Sequence, residues 1–204
     1  MNETKPARAG RPRCPVRQQA ILQAAFDLLA KGGPADFTIE AVSARSGVAR
    51  TTIYRRWPSK GALAVDSFRQ SMRAELDFQP TASAIADLRT VYRAKIRLLQ
   101  GRHGRILAGI LAEGQNDPAT LDAFNEDYIT PSCEGLLGIL KRGMESGEFR
   151  RDLNPQLVLD ALLGAVYQRL LTRRPFDEAW GEAVLDLVLA GCAAAPQPVD
   201  RVAA

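Results

Sequence analysis

The sequence has 204 residues, of which 46% are hydrophobic, so it can form one or two globular domains with a substantial core. No stretch approaches the roughly 18 consecutive apolar residues of a membrane span, and the first residues lack the apolar segment of a secretory signal. Three widely separated cysteines (Cys14, Cys133 and Cys192) have no metal-ligand spacing and favour a reducing, cytoplasmic location.

The net charge of +4 is unevenly distributed along the chain. Residues 1–75 hold 13 Lys and Arg against 6 Asp and Glu, whereas residues 76–204 hold 14 against 17. A basic segment attached to an acidic remainder indicates one module that meets a polyanion and another that does not. The same imbalance also fits an exposed surface with no partner, so charge alone does not decide.

The chain begins with a basic arm over residues 1–14, which two prolines keep from forming a helix. We expect this arm to be flexible. It either contacts phosphates or the minor groove of DNA, or is a solubilising tail that contacts nothing. An amphipathic helix follows over residues 17–31, and the Gly-Gly-Pro sequence at residues 32–34 ends it.

Residues 38–60 predict two short helices joined by a tight turn. Thr38 is a good N-cap for the first helix, and Gly47 ends it because glycine accepts the left-handed conformation. The second helix is expected over about residues 49–56, because Pro58 stops it. Packed on the 17–31 helix, the pair would complete a three-helix head.

The second helix of this pair has one polar face and one apolar face. At about 100° per residue, Arg50, Thr51 and Arg55 share an arc of roughly 140°, whereas Ile53 lies opposite and should pack inward. Arginine can form two hydrogen bonds with guanine, and threonine can bond a base or touch a thymine methyl group. The candidates for base edges are Arg50, Thr51, Thr52 and Arg55, and those for the DNA backbone are Thr38, Tyr54, Trp57 and Lys60, with Trp57 also packing the head.

A helix pair with a charged face is common, and most such faces are only solvated. A longer string favours DNA binding: residues 47–63 read GVAxTTIYxxWPSKxxL, with x for positions that carry no weight here. This string resembles the DNA-binding domain of the tetracycline-repressor (TetR) family. The resemblance is specific over about residues 17–64, and beyond them it is one of architecture and length.

The remainder of the chain predicts an all-α body. A connecting helix over 59–78 leads from the head into the body, and no period-2 strand pattern occurs. The further helices are expected over 81–100, 102–115, 118–129, 131–146, 154–172 and 177–193, where Pro131 either starts a helix or kinks a long one. Asp117 and Asn154, each followed by proline, are the predicted N-caps of two of them. About nine helices result, in a head over 15–60, a regulatory and dimerisation domain over 79–194 and a flexible tail over 195–204.

The last two helices carry apolar residues almost all round, so they need cover on every side. Doubling the pair about a two-fold axis would give a four-helix bundle, whereas one large internal core is the alternative. Resemblance to the family also implies a homodimer through these helices. The candidate interface residues are Leu159, Leu162, Val166, Trp180, Val184, Leu187 and Val188.

The family resemblance also implies a small-molecule pocket in the body. Mostly apolar walls with a few tyrosine hydroxyls would suit an apolar or amphipathic effector, although ordinary core packing explains the same residues. The candidate lining residues are Phe68, Met72, Tyr92, Leu99, Ile110, Phe124, Tyr128 and Tyr167.

No enzyme signature was found. The single histidine, His103, lies in a basic string and is expected to be a solvated helix-start residue, and we expect no metal site and no cofactor. The sequence therefore predicts a homodimeric, ligand-responsive DNA-binding regulator, most simply a repressor of a pseudo-palindromic operator. A ligand-independent regulator, an architectural DNA binder and a small helical enzyme are the alternatives.

Overall fold

The computed structural model describes residues 15–32, 36–75 and 78–192. All regular secondary structure in these three ranges is helical, which confirms the predicted all-α fold. The predicted arm over 1–14 and tail over 195–204 lie outside the described residues. No helix in the described part of the chain is both long and apolar enough to cross a membrane.

The helices follow the predicted order closely. They are α1 (Pro15–Gly32), α2 (Ile39–Ser46), α3 (Arg50–Tyr54), α4 (Lys60–Glu75), α5 (Ala84–Leu99), α6 (Arg102–Gly114), α7 (Pro118–Phe124), α8 (Thr130–Ser146), α9 (Pro155–Leu171) and α10 (Glu178–Cys192). A π-helical segment, Asn125–Ile129, joins α7 to α8 without a break. The described ranges thus hold nine separate helical rods.

The π-helical segment resolves the ambiguity at Pro131. A proline in a continuous helix cannot donate a hydrogen bond and crowds the preceding turn. Directly before it, the Thr130 N–H donates to the Asn125 carbonyl five residues back, which widens the turn. The long helix therefore continues through the proline instead of restarting there.

Several predicted helix ends are confirmed by their geometry. The Thr38 hydroxyl oxygen accepts a hydrogen bond from the Ala41 N–H at 3.1 Å, and Gly47 has φ 68°. The Asn154 side chain caps α9 by accepting from two backbone N–H groups. Asp117 precedes α7 as predicted, but its carboxylate accepts from the Thr120 hydroxyl at 2.6 Å and caps no backbone group.

Head and body share one continuous apolar core. Helix α4 packs on α1 in the head and on α6 and α7 in the body, so it belongs to both. Its inward residues Leu63, Phe68 and Met72 are at most 1% exposed. Burying a side chain of this size contributes about 1.5–3 kcal/mol, so α4 is held firmly at both ends.

Helix α10 lies against α5 in the body. Gly181 allows the close approach, because a Cβ there would lie 2.9 Å from Ile96. Along the solvent-facing edge, Arg93 of α5 binds Glu182 of α10, and Arg97 binds Glu178 with two hydrogen bonds of 3.1 Å. These ion pairs are exposed and mainly fix the register of the two helices.

The predicted dimer residues of α9 need correction. Leu159, Leu162 and Val166 are at most 1% exposed and form part of the protomer's own core, so they cannot form a face for a partner. Because α9 is apolar almost all round, its few polar residues gave only a weak signal of which side turns inward. The outward side carries Leu157, which is 63% exposed, and Gly164.

On α10 the predicted interface residues lie on or near the surface. Leu187 is 77% exposed, and Trp180, Val184 and Val188 are partly buried. Together with the outer side of α9, they form an exposed surface with several apolar side chains, which we call the α9–α10 face.

Candidate nucleic-acid interface

The helix-turn-helix is formed by α2, the turn at Gly47 and α3. The Ser43 hydroxyl donates to the Val48 carbonyl at 2.8 Å and so ties the turn to α2. Helix α3 is shorter than the predicted 49–56, because regular α-helix ends at Tyr54. A helical hydrogen bond still joins the Trp57 N–H to the Ile53 carbonyl at 2.9 Å, so the chain remains coiled to the end of the predicted range.

One buried side chain fixes the orientation of α3. Ile53 is fully buried against α2, where Val42 is also fully buried and Ile39 is 4% exposed. Since these residues point inward, the opposite side of α3 faces solvent, as the helical period predicted. The outward side chains are Arg50, Thr51, Tyr54 and Arg55, with Thr52 half-buried at the edge. Their contacts with DNA stay a prediction.

Arg50 already has a partner on the same surface. Its guanidinium lies 3.0 Å from the Glu40 carboxylate, with both side chains about 60% exposed. A backbone hydrogen bond and this arginine hold the pKa of Glu40 below its usual value. An exposed pair of this kind is weak, so it orients Arg50 without preventing contact with a base.

Trp57 was assigned a contact with the DNA backbone, and for its side chain this assignment is wrong. The indole is 4% exposed, and its N–H donates to Asp66 of α4 at 3.0 Å. Indole has a single N–H donor, so Trp57 has no further side-chain donor for a hydrogen bond to a DNA phosphate. The other predicted role, packing the head, is the one the structure shows.

Thr38 and Lys60 lie at helix starts on the surface. The Thr38 oxygen accepts from Ala41, which leaves its O–H available to donate. The Lys60 ammonium lies 3.1 Å from the Glu113 carboxylate of α6. This predicted phosphate ligand is therefore also bound to the body.

Beneath the Lys60–Glu113 pair, Gly61 of α4 and Thr120 of α7 lie in close contact. A Cβ on Gly61 would lie 1.7 Å from the Thr120 hydroxyl oxygen. A small cavity adjoins this contact, and Ile110 is among its lining residues. Ile110 thus lines the junction between head and body.

The other predicted pocket residues lie in the body core. All are buried except Tyr167, which is half-buried. Three of their rings pack together: Phe68 and Phe124 lie 4.9 Å and 5.3 Å from Tyr128 between centroids. Tyr92 instead donates its hydroxyl to the Leu162 carbonyl at 3.2 Å. The pocket stays a prediction, because these contacts are also those of an ordinary core.

Sequence reasoning did not identify a buried lysine in this core. Lys95 of α5 is 3% exposed, and its ammonium donates to the Ser132 hydroxyl at 2.8 Å. Burial lowers its pKa to about 8. The signal was present, because Lys95 interrupts the buried stripe of Tyr92, Ile96 and Leu99.

His103 is buried, contrary to the prediction of a solvated residue. It is 4% exposed, with Nε2 2.8 Å from the Ser71 hydroxyl and its ring 5.0 Å from Phe26. These contacts link α6 to α4 and α1. In the described part of the chain, no three His, Cys, Asp or Glu side chains are grouped to hold a metal ion.

The helical fold and the outward face of α3 define a helix-turn-helix DNA-binding protein. Residues 21–66 match the family described as "Bacterial regulatory proteins, tetR family", and residues 78–188 match "Tetracyclin repressor-like, C-terminal domain". The chain belongs to the TetR family of transcriptional regulators. Members of this family bind DNA and dimerise, and they are regulators, not enzymes.

Individual proteins support the same assignment. The chain is 31% identical over 183 residues to the HTH-type transcriptional regulator YdeS of Bacillus subtilis, covering 90% of this chain and 91% of YdeS. The crystal structure of the TetR family regulator SCO0332 superposes with a TM-score of 0.76 at 34% identity, over 88% of this chain and 99% of that one.

A structure of the regulator FadR from Bacillus subtilis, in complex with stearoyl-CoA, has the same fold. Its TM-score is 0.69 at 24% identity, over 85% of this chain and 98% of FadR.

Proposed function

We propose that two copies of this chain bind a pseudo-palindromic operator and repress transcription until an effector enters the body. The observation that carries the proposal is the outward face of α3, where Arg50, Thr51 and Arg55 are exposed above the fully buried Ile53. A helix so anchored can present these side chains to the major groove in a fixed orientation.

The α9–α10 face supports dimerisation. Leu157 and Leu187 are 63% and 77% exposed, and a monomer would leave both in water. Gly164 and Gly191 have open space above them, so a second helix can approach closely there. A dimer formed through this face would need to hold its two heads about 34–36 Å apart to occupy successive major grooves.

Within each head the side chains divide into two roles. Arg50, Thr51, Thr52 and Arg55 would read base edges, whereas Thr38, Tyr54 and Lys60 would bind phosphates and set the register. The test is selection of bound DNA from a random pool by the purified dimer. An inverted repeat with half-sites one helical turn apart is expected, and Arg151→Ala, an exposed arginine of the body, is the matched control.

An effector in the body is the second part of the proposal. FadR, which has this fold, is in complex with stearoyl-CoA, and this supports a ligand response in the present chain. The tight ring contacts of Tyr128 favour the alternative, a ligand-independent regulator controlled by a protein partner or by abundance. If a small molecule releases the selected DNA while the dimer stays intact, the regulator responds to a ligand. If no small molecule does so, the ligand-independent regulator is favoured.

A further inference from the structure

The body core contains a buried positive charge with no negative partner among the described residues. Lys95 is 3% exposed, and the Ser132 hydroxyl is the acceptor found for its ammonium. An ammonium can donate three hydrogen bonds, and a hydroxyl carries no compensating charge. The folded protein therefore contains a desolvated cation whose charge is not balanced locally.

The other buried charge in the body is treated differently. The Asp87 carboxylate, 1% exposed, accepts hydrogen bonds from the Thr81 N–H and hydroxyl and is paired with Arg142. The same fold thus neutralises a buried carboxylate fully, yet leaves Lys95 with one neutral contact. This contrast points to a role for the unbalanced ammonium.

The groups around Lys95 are neutral at physiological pH. Its ammonium lies 5.8 Å from the centre of the Tyr128 ring, and burial raises the pKa of Tyr128, of Tyr167 and of the Cys133 thiol. The negative charge of Asp160, an exposed residue of α9, also raises the pKa of the Cys133 thiol. The polar cluster of Lys95, Ser132 and Tyr128 is therefore net positive.

An apolar wall adjoins this cluster. Tyr128 stacks on Phe124 at 5.3 Å and meets the edge of Phe68 at 4.9 Å, and Phe68 belongs to α4, the helix shared with the head. A ligand that entered here would have to separate the ammonium from these rings, and it would then contact Phe68 of α4. Such a ligand needs one anionic group and an apolar part.

We propose that Lys95 is the anion-recognition residue of the effector site, and that the effector is an amphipathic organic carboxylate. Its carboxylate pairs with Lys95 and accepts from Ser132, while its apolar part packs on Phe124 and Tyr128. A carboxylate fits better than a phosphate ester, because one ammonium balances one negative charge and would leave a dianion uncompensated in the core. This inference rests on the proposed ligand response.

The affinity for the carboxylate should depend on pH, because the Lys95 ammonium must be protonated to pair with it. Lys95 has a pKa of about 8 in the unliganded protein, and a bound anion would raise it. Above pH 8, binding must then take up a proton, so affinity is full below pH 8 and falls up to about tenfold per pH unit above it. The neighbouring thiol and phenols have raised pKa values and stay neutral in this range.

The test measures binding of carboxylates to the full chain without DNA. The probes are octanoate, decanoate, benzoate and phenylacetate, each with its neutral amide as control, followed by thermal unfolding and calorimetry at pH 7.0 and 9.0. At a concentration about 100 times Kd, a fitting carboxylate should raise Tm by about 5–10 °C, and its amide should not.

Two variants identify the residue responsible. Lys95→Met should abolish the carboxylate effect and raise the basal Tm, because it removes an unbalanced buried charge. Lys141→Met, which changes an exposed lysine of α8, should respond like the wild type. In buffers of different ionisation enthalpy, calorimetry at pH 9.0 should show proton uptake by the wild type, a readout that needs no variant.

Three results would overturn the inference: a response to the amides equal to that of the acids, an undiminished response in Lys95→Met, or no response to any carboxylate of the panel. Because none of these measurements uses DNA, each would leave the operator proposal standing. Normal carboxylate binding with no operator selected would overturn the operator proposal alone.

Discussion

The ammonium of Lys60 lies 3.1 Å from the carboxylate of Glu113, across the junction between head and body. Lys60 opens α4 next to the helix-turn-helix, and Glu113 lies in the last turn of α6. The same ammonium is a candidate for a DNA phosphate. A phosphate and Glu113 would therefore compete for one cation, and this competition would oppose DNA binding.

Glu113→Gln should tighten DNA binding by about two- to fivefold, the range expected from freeing one partly exposed ion pair. The gain should be the same for specific and random DNA, because phosphates carry no sequence information. Fluorescence anisotropy on both DNAs measures it, with Glu145→Gln on the exposed side of α8 as control. Weaker binding by Glu113→Gln would show that the pair positions Lys60 for DNA instead.

Lys60→Ala should weaken binding to all sequences alike. Losing one phosphate contact should reduce the slope of log K against log salt by about one. Binding titrations at four salt concentrations supply this slope. An unchanged slope would mean that Lys60 serves only the junction.

Arg50→Ala should act differently, because Arg50 is proposed to read a base edge. The expected cost is about 1–3 kcal/mol on the selected operator, with relaxed preference at one position of each half-site. Repeating the random-pool selection with this variant locates that position. If the selected motif is identical to that of the wild type, the assigned face of α3 is wrong.

Leu187→Glu should separate the dimer without unfolding the protomer, since Leu187 is 77% exposed. Sedimentation velocity should show a monomer, and affinity for the full operator should fall toward that for a single half-site. Val16→Glu, at a similarly exposed apolar position of α1, is the control. A dimer that persists in Leu187→Glu would place the interface elsewhere.

Trp57→Phe tests the buried role of the indole. The variant leaves Asp66 without the indole N–H, although Arg69 still binds this carboxylate. A loss of about 0.5–1.5 kcal/mol in unfolding free energy is expected, with DNA affinity of the folded protein unchanged within twofold. Chemical denaturation and anisotropy measure the two quantities, with Tyr54→Phe, half-exposed on α3, as comparison.

The head could be predicted in detail because its determinants are local. The opposition of Ile53 to Arg50 follows from the helical period alone, and Thr38 and Gly47 have chemistries suited to the two ends of α2. The same local rules located Asn154 as the cap of α9.

The body could be predicted only in outline, because its features depend on packing between distant segments. Leu159 and Leu157 are two residues apart on a helix that is apolar almost all round, yet one is buried and the other exposed. Lys95 and His103 are polar residues whose burial depends on α8 and on α1 and α4, respectively. The sequence does not show which distant helices pack against these two residues, so their burial could not be predicted.

The π-helical turn at Asn125–Ile129 has a further consequence. A π turn accommodates one residue more than an α turn, so it rotates every later side chain by about 100°. Deleting one residue there would turn Leu136 and Leu140, both buried, away from the core. The length of the rod between Pro118 and Ser146 should therefore stay constant in functional variants.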